Sequence, residues 1–392
     1  YLHVPFCVRK CGYCDFHSLA IGDPRSDPDG PAARQMAAYA ETVREEIRRT
    51  ADAMEPSERV PLETVYFGGG TPALLPPATL AAILDTLGTA LGLADDVEAT
   101  LEANPGTLRP EDFRQLREAG FNRVSLGLQA IQPFLLRRLG RIHDATRFDE
   151  AVRDARAAGF RNISADLMAG IPGQTPRHMA DSVDRALAAG VTHVSVYSLT
   201  LEPGTPFHTR YASRPDALPS EDQERAIYRT AMDRLAAAGL PAYEISSAAR
   251  PGFRCRHNEA YWMAEGYHGF GPAAHGYRSG IRYSNPRDMD PWRDRVRQGA
   301  VRPEDDPDGV RINRDEAMDE AMWLGFRRLD GVSADTFRAR FGTYPEERYG
   351  DRLRQLLRRG LLERDGAPDP AGSYRLSGLG LDLANQVFLE FV

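Results

Sequence analysis

The chain has 392 residues, a length that suits one large domain or a large domain with a smaller one. Its formal net charge of -7, with acidic and basic residues mixed along the chain, argues against a nonspecific nucleic-acid binder. Only four cysteines occur and no run of about 18 apolar residues is present, so neither a secreted disulfide framework nor a membrane span is predicted. With no signal peptide visible, we expect a cytoplasmic protein.

Strand-like and helix-like segments alternate over the first 250 residues. In chain order the predicted elements are strand YLHVPF (1–6), helix 34–54, strand LETVYF (62–67), helix 77–91, and strands VEATLEA (97–103), RVSLGLQ (123–129), NISADLM (162–168), HVSVYSL (193–199) and AYEISSA (242–248). Regular alternation implies βαβ units and a parallel sheet. Because six or so units fall short of eight, we predict the α/β class, with an incomplete (β/α)6-type TIM barrel over residues 1–250.

The character of the chain changes after about residue 250. Residues 288–309, "DMDPWRDRVRQGAVRPEDDPDG", are rich in Pro and Asp and predict a linker within a connecting region, 251–310. Residues 311–392 predict a small C-terminal helical, winged-helix-like domain, with a β-like stretch in "GLLERDGAPDPAGSYRLS". Mixed charge there favours a packing or lid role over DNA binding.

Several polar or glycine positions follow predicted strands of the barrel. Gly68–Gly70, Glu102, Gln129 and Asp166 all lie at or just beyond the carboxyl end of a strand. Parallel α/β folds bind ligands at that rim. The sequence therefore predicts that these residues share one site.

Three of the four cysteines lie within eight positions, in "YLHVPFCVRKCGYCDF". Cys7, Cys11 and Cys14 stand at CxxxCxxC spacing, which also fits three buried thiols on one face of a helix. Pro5 precedes the set and Gly12 interrupts it, so a loop is favoured over a helix.

Three thiolates on one loop suit a soft metal. Zinc is one interpretation, with His17 as a fourth ligand beside the three cysteines. A [4Fe–4S] cluster fits better, because such a cluster is normally held by four cysteines and three leave one iron open for chemistry.

The cysteine motif, "FGGGTP" (67–72) and "LEANPGT" (101–107) together resemble the radical S-adenosylmethionine (SAM) superfamily. The match extends over nearly the whole chain to the group of oxygen-independent coproporphyrinogen III oxidase and its relatives, and within it to the heme chaperones. This resemblance implies a [4Fe–4S] cluster held by Cys7, Cys11 and Cys14, whose open iron chelates SAM. Electron transfer from the reduced cluster would cleave a C–S bond of SAM.

The resemblance also implies which residues contact SAM. They are Tyr1, Tyr13, Gly69, Gly70, Thr71, Glu102, Gln129, Arg141 and Asp166. Gln129, Arg141, Asp166 and Thr200 match positions that contact a second SAM in the oxidase. Alternatives remain open: the glycines suit a plain tight turn, Glu102 suits a solvated loop acid, and Tyr1 suits strand packing.

A second motif, "HNEAYW" (257–262), matches an HNxxYW pattern associated with heme in the chaperones. His257 offers an imidazole nitrogen to iron, while Tyr261 and Trp262 offer flat apolar surface to a macrocycle. The alternative for His257 is a structural histidine, and Cys255 is either a second axial ligand or a buried thiol. His268 and His275, in "GYHGFGPAAHGY", are further candidates.

Two departures distinguish the chain from the oxidase. Phe16 stands where the oxidase pattern CxxxCxxCxC has a further cysteine, and the oxidase's long N-terminal extension has almost no counterpart before Cys7. The resemblance therefore implies a heme chaperone that delivers heme to acceptor hemoproteins such as respiratory ones, as a monomer or heme-dependent dimer, with peripheral membrane association. The alternatives are a radical SAM enzyme (a coproporphyrinogen dehydrogenase, methyltransferase or cyclopropanase) and a scaffold with zinc or no cluster.

Overall fold

The structure is a computed structural model that describes residues 1–365 and 372–392. Its strands are β1 Leu2–Val4, β2 Phe6–Cys7, β3 Leu19–Ala20, β4 Leu62–Gly69, β5 Leu93–Ala103, β6 Arg123–Gln129, β7 Asn162–Ala169, β8 His193–Ser198, β9 Ala242–Glu244, β10 Ser247–Ala249, β11 His275–Arg278, β12 Ile281–Ser284, β13 Val310–Arg311, β14 Val332–Ser333, β15 Leu362–Arg364 and β16 Ser373–Leu376. Its α-helices are α1 Pro31–Ala53, α2 Pro77–Leu91, α3 Pro110–Glu118, α4 Pro133–Leu139, α5 Ala145–Ala157, α6 Pro176–Ala189, α7 Pro206–Tyr211, α8 Glu221–Ala237, α9 Arg256–Trp262, α10 Met289–Arg297, α11 Arg314–Gly325, α12 Ala334–Phe341, α13 Pro345–Arg358, α14 Gly378–Asp382 and α15 Ala384–Phe388.

One large sheet organises the first 250 residues. Its strand order is β1-β4-β5-β6-β7-β8-β10-β9, and the first six strands in that order are parallel. Helices connect successive parallel strands, as the βαβ alternation predicts. Strands β1 and β9 stand at opposite ends of the order, so the sheet is open and the prediction of an incomplete six-unit α/β barrel is confirmed.

The segment AYEISSA differs from its prediction as a single strand. It forms two short antiparallel strands, β9 and β10, with Ser247 paired to Glu244. Strand β10 also runs antiparallel to β8, with Ser247 opposite Ser195. The chain therefore reverses at the end of the parallel set, and Ile245 and Ser246 form the turn between the two strands.

Helices α1 and α2 show why the apolar periodicity was informative. Tyr39, Val43 and Ile47 recur every four residues on α1 and are all buried against the core. Helix α2 coincides with its predicted range, beginning at Pro77 and ending before Gly92, whose φ of +79° stops the helix. Among the described helices, none has the length and apolar character needed to cross a bilayer.

The linker prediction for residues 288–309 is wrong over its first half, where α10 forms. Met289, Trp292 and Val296 follow the spacing of one helical face and are buried in the main core, although aspartates and arginines separate them in the sequence. The Trp292 ring packs 5.6 Å from that of Tyr39, and its indole N–H donates to Glu46 at 3.2 Å. This helix is part of the barrel packing.

The segment between α9 and α10 extends the sheet at the edge of β1. The His3 N–H donates to the Phe270 carbonyl at 2.8 Å, and the Phe270 N–H donates to the Tyr1 carbonyl at 2.9 Å. Strands β11 and β12 follow as a hairpin whose turn residues Ser279 and Gly280 both have positive φ. The hairpin thus stands beside the N-terminal strand.

The C-terminal residues form a second core. Phe326, Phe337, Tyr349 and Phe391 are buried together among α11, α12 and α13. A small antiparallel sheet in the order β14-β16-β15 completes the unit. The predicted order of helices and hairpin is confirmed for the described residues, and residues 366–371 of the predicted β-like stretch lie outside them.

Candidate functional site

The three clustered cysteines lie on a loop that follows β1. Strands β2 and β3 pair in parallel, Phe6 with Leu19 and Cys7 with Ala20, and this brings the two ends of the loop together. Residues 8–18 between them contain no helix. The loop interpretation of CxxxCxxC is therefore confirmed over the helical one.

Contacts with the barrel fix the middle of this cysteine loop. The Gly12 N–H donates to the Leu139 carbonyl at 3.3 Å, and the Gly12 carbonyl accepts from the Phe207 N–H at 2.9 Å. A Cβ at Gly12 would stand 2.9 Å from the Phe207 ring, so only glycine fits here without displacing that ring. Arg9 adds a bond to the Gly140 carbonyl at 2.6 Å.

Cys7, Cys11 and Cys14 line one cavity of about 470 Å³ at the carboxyl ends of the parallel strands, which we call the cysteine cavity. The structure brings nearly all the predicted SAM residues to it: Tyr13, Gly69, Gly70, Thr71, Glu102, Gln129, Arg141, Asp166 and Thr200. Tyr1 is placed elsewhere, with its hydroxyl 3.1 Å from Nδ1 of His3. The rim of the sheet thus unites residues up to 193 positions apart, the span from Cys7 to Thr200.

A chain of hydrogen bonds crosses the cysteine cavity. Arg141 donates to the Tyr13 hydroxyl at 2.9 Å and to Oδ1 of Asn104 at 2.5 Å. Asn104 donates to Oγ1 of Thr71 at 3.1 Å, and Thr71 points its hydroxyl at Sγ of Cys7 at 3.7 Å. Sequence reasoning missed Asn104, although it lies inside the quoted "LEANPGT" motif. This series of hydrogen bonds links Cys7 to the rim of the barrel.

The thiols sit half-buried in the cysteine cavity. Burial is the main cause that raises the pKa of Cys7 and raises that of Cys14 to about 11, while the charges of Arg141 and Lys10 act in the opposite direction. Across the described ranges, no three His, Cys, Asp or Glu side chains are close enough together to hold a metal ion. The fit to an iron–sulfur cluster therefore rests on three soft donors sharing one cavity.

Two carboxyl groups face the same cavity from β5 and β7, the strands on either side of β6. Glu102 is half-buried and accepts from the Tyr66 hydroxyl at 2.8 Å, and burial followed by the charge of Asp166 raises its pKa to about 7. Asp166 accepts from Oγ of Ser125 at 3.0 Å, and burial also raises its pKa. A cationic or hydroxyl-rich ligand would relieve this repulsion, so the pair suits an ammonium or ribose group.

The glycines of "FGGGTP" are required by packing inside the protein. A Cβ at Gly69, whose φ is +104°, would lie 2.6 Å from the His3 ring, and one at Gly70 would lie 2.6 Å from the Phe6 carbonyl oxygen. The Gly70 N–H donates to the Val4 carbonyl at 2.8 Å. These contacts let β4 approach the N-terminal strand, and both glycines also line the cysteine cavity.

Gln129 ends β6 in an unusual conformation. Its φ is +64°, in the left-handed region that side-chain-bearing residues avoid, and the pairing of β6 with β7 is irregular just before it. The side chain is buried yet reaches the cavity wall. Backbone strain of this kind collects at functional sites.

The HNEAYW motif forms helix α9, and its histidine is fully engaged by protein. Nδ1 of His257 is 2.8 Å from Oγ1 of Thr64, and Nε2 is 2.9 Å from the Tyr261 hydroxyl. The ring stacks on Tyr66 with centroids 5.1 Å apart. Burial lowers the pKa of His257 well below the usual range, so the imidazole is neutral, with both nitrogens occupied.

Other candidates near this motif differ in accessibility. The Cys255 thiol is buried 3.7 Å from Glu98, and burial raises its pKa to about 12, as expected of a buried thiol. Burial also lowers the pKa of His268 to about 3. His275 is exposed on β11.

A second cavity, of about 700 Å³, lies on the other side of the cysteine loop, and we call it the aromatic groove. Aromatic and imidazole side chains that line it are Tyr1, His3, Phe16, His17, Tyr261, Trp262, Tyr267, His275, Tyr277 and Trp323. Asp15 and Phe16, which follow Cys14 directly, line both the groove and the cysteine cavity. One short segment therefore separates the two cavities.

Comparison with known proteins places this geometry in a family. Residues 1–186 match the radical SAM superfamily, and residues 312–372 match the HemN C-terminal domain. The chain is 34% identical over its whole length to the heme chaperone HemW of Bacillus subtilis, covering 98% of that protein. The chain belongs to the HemW family.

Other HemW proteins give the same result. The family member of Mycobacterium tuberculosis is 41% identical over 73% of the chain and 70% of its own length, and that of Escherichia coli is 34% identical over 86% and 87%. Among solved structures, the coproporphyrinogen III oxidase HemN of Escherichia coli superposes with a TM-score of 0.82, covering 100% of this chain and 89% of its own. At 19% identity that likeness shows the fold alone. Membership of the radical SAM superfamily implies SAM and a [4Fe–4S] cluster.

Proposed function

We propose that this protein is a heme chaperone that binds heme, holds a [4Fe–4S] cluster and SAM in the cysteine cavity, and delivers the heme to acceptor hemoproteins. The observation that carries the proposal is full-length similarity to HemW proteins, which are named as heme chaperones. The aromatic groove supports it, because a large cavity rich in flat side chains suits a macrocycle.

In the cysteine cavity, Cys7, Cys11 and Cys14 would hold the cluster, and the polar chain from Tyr13 to Thr71 would orient that loop. Gly69, Gly70, Thr71 and Glu102 would contact SAM, joined by Gln129, Arg141 and Asp166 on the far wall. When bound, cluster and SAM supply one-electron chemistry that no side chain provides.

For the cargo, we infer a site that involves the region of His257, Tyr261 and Trp262 within residues 251–310. The barrel of residues 1–250 would carry the cofactors, and the C-terminal domain of residues 311–392 would cover the groove, to which α11 already contributes Trp323. The recipients would be hemoproteins such as respiratory ones, reached in the cytoplasm or at a membrane surface. The protein would act as a monomer or as a heme-dependent dimer, with its cluster reduced by a separate donor.

A second candidate is a radical SAM enzyme of the same group, such as an oxygen-independent coproporphyrinogen III oxidase or dehydrogenase, a methyltransferase or a cyclopropanase. The cysteine cavity favours it, because a cavity lined by two carboxyls of raised pKa is typical of catalytic sites. Phe16 in place of a further cysteine argues against the oxidase.

Two assays on anaerobically reconstituted protein separate these functions. In the first, ferric heme is titrated in and the loaded protein is mixed with an apo-hemoprotein. In the second, the protein is incubated with coproporphyrinogen III, SAM and a reductant, and vinyl products are measured. We expect heme binding and transfer without vinyl formation. Vinyl formation together with no heme binding would establish the enzyme instead.

A further inference from the structure

The histidine of the HNEAYW motif has no nitrogen free to bind iron. His257 is 4% exposed, and its two ring nitrogens are each within 2.9 Å of a hydroxyl, on Thr64 and on Tyr261. Freeing Nε2 for a metal would leave the partly buried Tyr261 hydroxyl without this partner, and an unsatisfied buried polar group is destabilising. Instead, the bond to Thr64 fixes the His257 ring, and the bond from His257 fixes the Tyr261 ring, which lines the aromatic groove.

Three other imidazoles line the groove, and of these His3 has both nitrogens engaged, by the Tyr1 hydroxyl and by the His17 carbonyl. His17 lies three residues beyond Cys14, and its Nε2 atom is buried with no hydrogen-bond partner in residues 1–365 and 372–392. His275 is exposed on β11 at the same groove. The His3 ring lies 6.2 Å from that of His17, and Nε2 of His3 bonds to the His17 carbonyl at 2.8 Å, which fixes the backbone at that position. The imidazoles of His17 and His275 are therefore the candidate iron ligands of the groove.

The walls of the groove match the remaining parts of a heme. The Tyr261 and Tyr267 rings meet edge to face at 4.6 Å, and the Trp262 ring is fixed under the Arg327 guanidinium at 4.1 Å. Arg282 is already paired with Glu320 at 2.8 Å. The exposed Arg287 guanidinium also lines the groove and suits a propionate carboxylate.

We propose that the heme cargo lies in the aromatic groove with its iron ligated by His17 and His275, and that His257 is a positioning residue that holds Tyr261. This inference rests on the proposed function and names the site within it. Because Asp15 and Phe16 line both cavities, such a heme would lie beside the part of the cysteine loop that also lines the cysteine cavity.

The test is a ferric-heme titration of the reconstituted full chain, followed by absorbance and by electron paramagnetic resonance, which reports imidazole ligation. For the double variant His17→Ala/His275→Ala we expect at least tenfold weaker binding and loss of the imidazole signal. His257→Ala should keep that signal and bind only a few-fold more weakly, and His208→Ala, outside both cavities, should match the wild type.

A ligand exchange guards against a folding defect in the double variant. His275→Met keeps a donor atom, so its spectrum should shift to that of a histidine–methionine pair if His275 ligates the iron. An unshifted His275→Met spectrum, or an imidazole signal that vanishes in His257→Ala and persists in the double variant, would overturn this inference. Wild-type protein that binds no heme would instead overturn the proposed function itself.

Discussion

The two cavities beside the cysteine loop differ in how their polar groups are engaged. In the cysteine cavity, Arg141, Asn104 and Thr71 are joined in one hydrogen-bonded chain that reaches Cys7. In the aromatic groove, rings dominate, and the Nε2 atom of His17 has no partner in the part of the chain that the structure describes. A preorganised polar site suits a resident cofactor. A wide groove with an unpaired imidazole nitrogen on His17 suits a cargo that must also leave.

The largest effect is expected from removing the three thiols of the cysteine cavity. We expect the triple variant Cys7→Ala/Cys11→Ala/Cys14→Ala to lose essentially all reconstituted iron and sulfide, because these are the only thiols that line the described part of the cysteine cavity. Iron and sulfide analysis measures this. Cys255→Ser is the matched control, since that thiol lies outside the cavity and should leave the cluster intact. Full cluster content in the triple variant would contradict the assignment.

The next largest effect concerns Glu46 of α1, whose carboxylate binds the segment between α9 and α10 that lines part of the aromatic groove. Its carboxylate accepts from the Gly271 N–H at 2.8 Å, the Asn285 amide at 2.6 Å and the Trp292 indole at 3.2 Å. Burial raises the pKa of Glu46 to about 7 from 4.5, despite these bonds and the charge of Arg295.

The folded state therefore binds this proton more tightly than the unfolded state does. The resulting stability is fully present below about pH 4.5 and is lost as pH rises through 7, amounting to about 3 kcal/mol at 1.36 kcal/mol per unit of pKa. We expect Glu46→Gln to reduce the fall in unfolding free energy between these pH values, measured by urea denaturation. Glu45→Gln, at an exposed ion pair, is the control and should keep the wild-type slope. An unchanged slope in Glu46→Gln would refute this account.

Arg141 tests whether the polar chain of the cysteine cavity orients its ligands. Arg141→Ala removes the donors to Tyr13 and Asn104, and loss of such outer contacts typically costs about 10–100-fold in affinity. We expect SAM affinity to fall by that factor in calorimetry of the cluster-loaded protein. Arg147→Ala, which removes an exposed ion pair with Glu150, should have no effect. Equal SAM affinity in the two variants would show that the chain is only structural.

The smallest expected effect concerns Gln129, where two variants distinguish backbone strain from SAM binding. Both Gln129→Ala and Gln129→Gly remove the side chain from the cavity wall, but only glycine adopts a φ of +64° without cost. We expect the glycine variant to be about 1 kcal/mol more stable than the alanine variant, while both lose SAM affinity equally. Thermal unfolding and calorimetry measure the two quantities. Equal stability of the two variants would mean that the backbone there carries no strain.

The rim of the barrel could be predicted from the sequence because its signals are local. Gly69, Glu102, Gln129 and Asp166 each lie in the C-terminal half of a strand with clear apolar patterning, and parallel topology then brings them to one cavity. The loop conformation of the cysteine motif could also be predicted from the sequence, since Gly12 and Pro5 argue against a helix.

Contacts between distant segments could not be predicted in the same way. Nothing near His257 in the sequence indicates Thr64, 193 positions away, as the partner of its ring. Helix α10 was not predicted because charged residues surround Trp292 in the sequence. The burial of Trp292 depends on its contacts with Tyr39 and Glu46 of α1. The aromatic groove is formed by four separate segments of the sequence, so no local pattern predicts it.

The most direct test of the two-cavity account is iron-edge anomalous diffraction from crystals of the reconstituted, heme-loaded protein. We predict two separate iron signals, one from a cluster beside Cys7, Cys11 and Cys14 and one from a heme in the aromatic groove, with Phe16 between them. A heme iron located inside the cysteine cavity, or bound to Nε2 of His257, would contradict the account.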